Sequence, residues 1–370
     1  MNSLESQVLA SLEKVSDPEL HKPLTELGMV GDVSGNSEKF QVQIKLTVSH
    51  CPMKAELENS VKETLIADFP NSDISVELIV MTPEELAELK LKLRGREKIN
   101  PFLDSPTRVI LVGSGKGGVG KSTVTANLAA GLAKHGYKVG LIDADIFGFS
   151  LTKLLGVTKR PTRLDDMMLP PIAFGVKVIS IGMFLDSNEP VSWRGPMLHK
   201  AVEQFLTDVY WGELDFLLID MPPGTGDVSI SVGQLLPSAK YLVVTTPASD
   251  ASLVAARSAM AAFKVGQEII GVVENFSWIE STDGSKQYPF GQGGGESLAK
   301  ELSEYSDTEV KLISQLPLSQ KIADGSGQGI PIMASVSEDS AVLGFENLVE
   351  QVAQIKLSNK QRKLNVKLAT

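Results

Sequence analysis

One cysteine in 370 residues is the first constraint on this chain. Cys51 has no partner for an internal disulfide, and a lone thiol fits a reducing, cytoplasmic location. Histidine is scarce too. His21, His50, His135 and His199 are scattered, and only His50 adjoins Cys51. In an extended segment those two side chains diverge, so no Cys/His nucleophile is drawn from them. Nowhere do 18 apolar residues run together, so no transmembrane helix is expected. The start, Met1-Asn-Ser-Leu-Glu-Ser6, has neither the basic region nor the apolar stretch of a secretory signal. Positive charge is also short, with 35 Lys and Arg against 45 Asp and Glu. Residues 1–90 carry most of the excess, with 16 acids against 7 bases. Such a surface argues against general nucleic-acid affinity, and neither a nucleic-acid nor a membrane partner is expected. The tail is the exception: Lys356, Lys360, Arg362, Lys363 and Lys367 occur with no acid among them. It reads as a solvated end or as a short contact for an anionic surface.

What is present is a well-cored globular chain, 42% hydrophobic and 22% charged, long enough for two or three domains. Its most informative segment is Gly113-Ser-Gly-Lys-Gly-Gly-Val-Gly-Lys-Ser-Thr123. From Gly115 to Ser122 it reads G-x-x-x-x-G-K-S, the phosphate-binding loop, with a second lysine, Lys116, directly after the first glycine. An apolar strand, Val109 to Val112, precedes it, and Ala126, Leu128, Ala129, Leu132 and Ala133 follow at helical spacing. Glycines let successive N–H groups turn inward toward an anion, and the helix N-terminus adds partial positive charge. Gly115, Lys116, Gly117, Gly118, Val119, Gly120, Lys121, Ser122 and Thr123 are therefore the expected nucleotide-binding residues. Lys121 is expected at the β- and γ-phosphates and Ser122 on Mg²⁺.

Residues 1–90 read as a small α/β domain. Val8, Leu9, Leu12 and Val15 share a helix face. Phe40, Val42, Ile44, Leu46 and Val48 alternate with polar residues as a half-buried strand, and a helix to about Asp68, a strand over 74–80 and a charged helix over 84–92 follow. Residues 91–107, with Gly95, Pro101 and Pro106, are the expected linker. Over 108–355, apolar strands at 109–112, 139–142, 176–181, 216–219, 241–245, 269–273 and 311–315 alternate with helical patterns. That order predicts a three-layer α/β P-loop fold with a mostly parallel sheet and ligands at the carboxyl ends of its strands. Residues 356–370 form the basic tail.

Two strands end in carboxylates. The strand over 139–142 runs into Asp143-Ala-Asp145, and that over 216–219 into Asp220-Met-Pro-Pro-Gly-Thr-Gly-Asp227. A hard oxygen at a buried strand end beside the phosphate loop is what Mg²⁺ requires, and Asp220 is the first choice. Asp143 is a second candidate ligand, and Asp143 or Asp145 a candidate to order the attacking water. Each has a structural alternative as a helix or turn cap.

These motifs together resemble the deviant Walker A ATPases, which include the ParA/MinD partitioning ATPases, the nitrogenase iron protein and the Mrp/ApbC iron–sulfur carriers. Trp193-Arg-Gly-Pro-Met-Leu-His-Lys200 and Gly271-Val-Val-Glu-Asn-Phe-Ser277 narrow the resemblance to Mrp/ApbC. Asp17-Pro-Glu-Leu20, Leu27-Gly-Met-Val30 and Leu46-Thr-Val-Ser-His-Cys-Pro52 resemble the small domain fused to many Mrp proteins and shared with iron–sulfur assembly factors. The resemblance implies an ATP- and Mg²⁺-dependent homodimer in which Lys116 reaches the partner's phosphates. It also implies that Asn275 reads adenine, the alternative being a turn-forming Asn.

Many Mrp/ApbC proteins carry Cys-x-x-Cys soon after the Val-Glu-Asn segment, and one pair per subunit holds a bridging iron–sulfur cluster. Residues 276–291 here contain no cysteine and read as a polar hairpin or loop. Glu280 and Asp283 keep the spacing, but carboxylates are hard ligands and poor substitutes for thiolates. The cluster site is therefore not carried over. Cys51, expected at a helix N-terminus, is left as a transient ligand or acceptor, or else a small buried apolar residue. The resulting expectation is an ATP-hydrolysing factor in iron–sulfur cluster assembly or transfer, with scaffold or apoprotein clients. The alternatives are a ParA/MinD-type positioning or regulatory ATPase, and an ATP-dependent scaffold that binds no cluster itself.

Overall fold

The computed structural model describes residues 3–48, 53–94, 100–103, 105–145, 148–184, 195–281, 283–335 and 338–356. The chain forms two compact units. One comprises Met1–Lys98 with Thr162–Pro170 and Asp208–Gly212; the other comprises Ile99–Pro161, Pro171–Thr207 and Glu213–Thr370.

The first unit is built on a three-stranded sheet. Lys39–Leu46 lies in the middle, antiparallel to Val30–Gly35 and parallel to Asp73–Val80. The expected alternation holds, with Phe40, Val42, Ile44 and Leu46 buried and the residues between them more exposed. Helix Lys54–Asp68 buries Leu57, Val61 and Leu65, one per turn on a single face. Helix Ser3–Leu12 contributes Val8 and Leu12 to the same core.

Sequence reading missed one contribution to this core. The short hairpin Thr162–Leu164 and Met167–Leu169 places Leu164, Met167 and Leu169 there, each 1% exposed. Burying three such side chains is worth up to roughly 5–8 kcal/mol. Polar contacts fix the hairpin: Thr162 Oγ1 donates to Glu19 Oε1 at 2.8 Å, and Lys90 pairs with Asp165. Three-residue strands separated by two acids gave no readable period.

The second unit carries an eight-stranded sheet. Its order is Leu312–Gln315, Glu268–Glu274, Lys240–Thr245, Arg108–Ser114, Phe216–Asp220, Val139–Asp143, Val176–Ser180 and Ile172–Ala173. Every pairing is parallel except the last, where Ile172–Ala173 runs antiparallel to Val176–Ser180. The central strands are buried throughout except at Arg108, as a sheet covered on both faces requires. The expected mostly parallel α/β architecture is thus the observed one, and each expected strand is found within a residue or two. Register then positions the chemistry: Asp220 is level with Val112 on one side and Asp143 on the other. The strand end Ser114, the phosphate loop and both carboxylates therefore meet at one edge. Among the described residues no helix is long and apolar enough to cross a membrane.

Candidate nucleotide site

The loop between strand Arg108–Ser114 and helix Lys121–Lys134 uses its glycines for different tasks. A Cβ at Gly115 would lie 2.2 Å from the Ala255 nitrogen, so this glycine permits close approach of helix Ser249–Lys264. Gly117 and Gly118 have nothing within 4 Å of a Cβ position; they face open space. Gly120 is left-handed, φ +81°, and a Cβ there would meet Asn275 Nδ2 at 2.1 Å. The loop lines a cleft of ≈ 480 Å³ with Ser114, Lys116 to Thr123, Asp145, Gly148, Ser150 and Pro223. An open glycine cradle at a helix N-terminus, with a buried lysine at its base, suits the phosphates of a nucleotide.

At the base of the cleft three groups converge. Lys121, 6% exposed, places Nζ 2.8 Å from Asp220 Oδ2 and 3.9 Å from Asp145 Oδ2. Ser122 Oγ donates to the same Asp220 Oδ2 at 2.6 Å. Asp220 is fully buried at its strand end, and Thr125 Oγ1 donates to its other oxygen at 2.8 Å. A serine hydroxyl against a buried carboxylate oxygen is a hard-donor pair, the chemistry of a Mg²⁺ site. Asp145 Oδ1 accepts from the Gly148 N–H at 3.1 Å and keeps its side chain at the cleft wall.

Asp143, the other strand-end carboxylate, bonds the loop that follows its strand. Its Oδ2 accepts from the Ser150 and Leu151 N–H groups and from Ser180 Oγ at 3.2–3.3 Å, and its Oδ1 accepts from the Asp145 N–H at 3.2 Å. It is 1% exposed and absent from the cleft wall. Burial, then the neighbouring charge of Asp220, pushes its pKa up to about 7. The capping alternative describes it: it ties the loop after its strand to the start of helix Leu151–Leu154.

Asn275 is 4% exposed, and its Nδ2 donates to the Val119 carbonyl at 2.9 Å. It buttresses the phosphate loop from beneath and is not among the cleft-lining residues. Lys116, 41% exposed, turns its ammonium to Asp250 Oδ2 at 2.6 Å on its own chain. Sequence reading missed Asp250 and Thr125, although Thr125 lies four residues after Lys121 on the same helix face. Glu274, within the Gly271–Ser277 segment, is another such residue. This buried carboxylate accepts from the Gly295 N–H at 2.6 Å, Gln315 Nε2 at 2.8 Å and Ser277 Oγ at 2.9 Å, fixing the start of helix Gly294–Ser306.

Residues 276–291 include the two-stranded hairpin Ile279–Glu280 and Lys286–Gln287, with Lys286 Nζ 3.7 Å from the Trp278 ring centre. Cys51 and His50 lie outside the described residues, as do Trp193 and the tail beyond Lys356. Among the described residues no group of three or more His, Cys, Asp or Glu is arranged to hold a metal.

A buried parallel strand, a glycine loop, and a lysine and serine on a strand-end aspartate define a P-loop NTPase. The chain belongs to the family described as NUBPL iron-transfer P-loop NTPases, whose sequence model matches residues 105–353. Residues 5–78 match a second model, described as iron-sulfur cluster assembly protein. Over 345 residues the chain is 50% identical to the iron-sulfur cluster carrier protein of Mycobacterium tuberculosis (strain ATCC 25618 / H37Rv), covering 92% of this chain and 90% of that one. The Bacillus subtilis (strain 168) protein of the same name is 40% identical over 321 residues, covering 85% and 88%. Among solved structures, a nucleotide-binding protein from Archaeoglobus fulgidus in complex with ADP is 32% identical. Its TM-score is 0.54, and the match covers 71% of this chain and 96% of that one. The resemblance drawn from the motifs is borne out.

Proposed function

We propose that this protein binds and hydrolyses ATP as a homodimer and couples that cycle to iron–sulfur cluster assembly or transfer to apoproteins. The observation that carries the nucleotide half is the convergence of Lys121 and Ser122 on Asp220 under an open glycine cradle. Lys121 is held at the base of the cleft, where its ammonium meets the β- and γ-phosphates once it exchanges a carboxylate for them. Ser122 Oγ and Asp220 Oδ2 would hold Mg²⁺, which supplies charge neutralisation on the phosphates when bound. Asp145, 14% exposed beside Lys121, is the carboxylate placed to orient a water. Asn275 holds the Val119 carbonyl, so the loop N–H groups are preorganised at no cost on binding. Lys116 is the residue for a partner's phosphates. Its ion pair with Asp250 is half-exposed, worth little in water, and readily exchanged for a phosphate.

The cluster half is supported by the names of the relatives and by the match of the first unit to an assembly-protein family. With one thiol per chain, the Cys-x-x-Cys route is closed and Cys51 is the single thiolate ligand available. Replacing Lys121 by Ala tests the site: ATP binding and turnover should both fall to background, and unchanged turnover would remove the assignment. Anaerobic reconstitution with iron and sulfide, with Cys51→Ser alongside, tests the cargo. Bound iron lost in the variant places cargo on Cys51. No bound iron in either protein leaves an ATPase that acts on clients without carrying a cluster.

A further inference from the structure

We infer that Thr125 is a positioning residue for the magnesium-binding carboxylate: its hydroxyl fixes Asp220 so that one chosen oxygen faces Ser122 and Lys121. The inference rests on the reading of Asp220 as a metal ligand. A carboxylate offers two chemically equivalent oxygens, and rotation about its last bond exchanges them. In this structure they are not equivalent. Oδ2 takes both site contacts, from Ser122 Oγ at 2.6 Å and Lys121 Nζ at 2.8 Å, whereas Oδ1 is bonded by Thr125 Oγ1 at 2.8 Å.

Thr125 is fully buried, so no solvent competes for its proton. That hydroxyl has two acceptors in reach, Asp220 Oδ1 and the Lys121 carbonyl at 2.9 Å. The carbonyl already accepts within its own helix, and the charged oxygen makes the stronger bond, so the proton goes to Asp220. The geometry follows from the helix. Thr125 is one turn beyond Lys121 and stands on the same face, directly under the strand end that carries Asp220. A β-branched residue in a helix has restricted side-chain freedom, so the donor is itself held. Partners that orient a metal-binding carboxylate in this way commonly change metal affinity about 10–100-fold when removed.

The test is a Mg²⁺ titration of fluorescent ATP-analogue binding to the full-length protein, with Thr125→Val, Thr125→Ser and Asp220→Asn. Valine keeps the shape and removes the hydroxyl; serine keeps the hydroxyl. Thr125→Val is expected to raise half-saturating Mg²⁺ by about tenfold while Mg²⁺-free nucleotide binding stays within about twofold, and Thr125→Ser to remain within about twofold on both measures. Thr125→Ala carries the same expectation as Thr125→Val and replaces it if the valine variant does not fold. Asp220→Asn must also raise the Mg²⁺ requirement. If it does not, the site reading fails and this inference with it. If Asp220→Asn shifts the titration and removal of the Thr125 hydroxyl does not, or if serine fails to restore it, only the inference about Thr125 is overturned.

Discussion

Two alanine substitutions, three residues apart in the phosphate loop, should separate support of the loop from use of the loop. Gly120 has φ +81°, and a Cβ there would sit 2.1 Å from Asn275 Nδ2 and 3.1 Å from Phe276 Cζ. Alanine in that backbone region costs about 1–2 kcal/mol. Displacing the Asn275 amide also breaks its bond to the Val119 carbonyl, worth about 1 kcal/mol net in a buried setting. Gly120→Ala should therefore destabilise the second unit by about 2–3 kcal/mol, or roughly 4–12 °C in Tm for a domain of this size. Gly117 has no positive φ, and its Cβ would have no neighbour within 4 Å. Gly117→Ala should shift Tm by no more than about 2 °C, and upward if the restricted unfolded chain dominates. Its methyl group nevertheless projects into the space a phosphate needs, so nucleotide affinity should fall at least about tenfold, a loss of about 1.4 kcal/mol. Differential scanning calorimetry with and without ATP reads both effects. Equal melting losses in the two variants, or wild-type nucleotide affinity in Gly117→Ala, would refute the division of labour.

Three further outcomes are expected. Glu274→Ala leaves the Gly295 N–H and Gln315 Nε2 without their buried acceptor and should cost about 3 kcal/mol, read by chemical denaturation of the full chain. Leu164→Asp buries an unpaired charge in the core of the first unit; proteolysis should cut within residues 1–98 faster, and an unchanged cleavage rate would show that the hairpin adds nothing there. Lys177, lowered to about 8 by burial and then by Lys138, penalises the fold fully below pH 8, because the unfolded lysine holds its proton to about 10.5. Stability from this group therefore rises between pH 8 and about 10.5. Lys177→Met should melt higher than the parent at pH 7, by on the order of 1 kcal/mol after solvent screening, and the gap should close toward pH 10.5.

The parts legible in sequence were those where one physical signal dominates. Seven apolar strands were readable because a doubly covered parallel sheet needs continuous apolar runs, and Val139–Asp143 and Phe216–Asp220 are such runs. The phosphate loop was readable because its backbone path admits few residues besides glycine. What the sequence hid was pairing at a distance. That Asp143 spends its oxygens on the Ser150 and Leu151 N–H groups, while Asp220 keeps one for Ser122, depends on where two loops turn after equivalent strand ends. Both aspartates look alike in the chain. The hairpin that completes the core of the first unit was hidden for a related reason: its two strands are three residues each, below the length at which a period of two can be recognised.

The distribution of donor atoms bears on how such a protein handles iron. At the nucleotide site the proposed ligating groups are a hydroxyl and a carboxylate, Ser122 and Asp220, hard oxygens that would favour Mg²⁺ over any iron–sulfur cluster. A [4Fe–4S] cluster is commonly held by four thiolates, and this chain has one. Two copies would supply two, so on the proposed reading at least half of the usual ligand set must come from outside the protein. A cluster held that way is exposed to exchange, and its residence time depends on how long the outside ligands stay. Nucleotide state can govern that residence without touching the iron. The soft donor, Cys51, and the hard donors fall in separate stretches of sequence, matching separate families. Hydrolysis and cargo binding should then respond to separate mutations, with Cys51→Ser sparing ATP turnover and Lys121→Ala sparing whatever iron Cys51 retains.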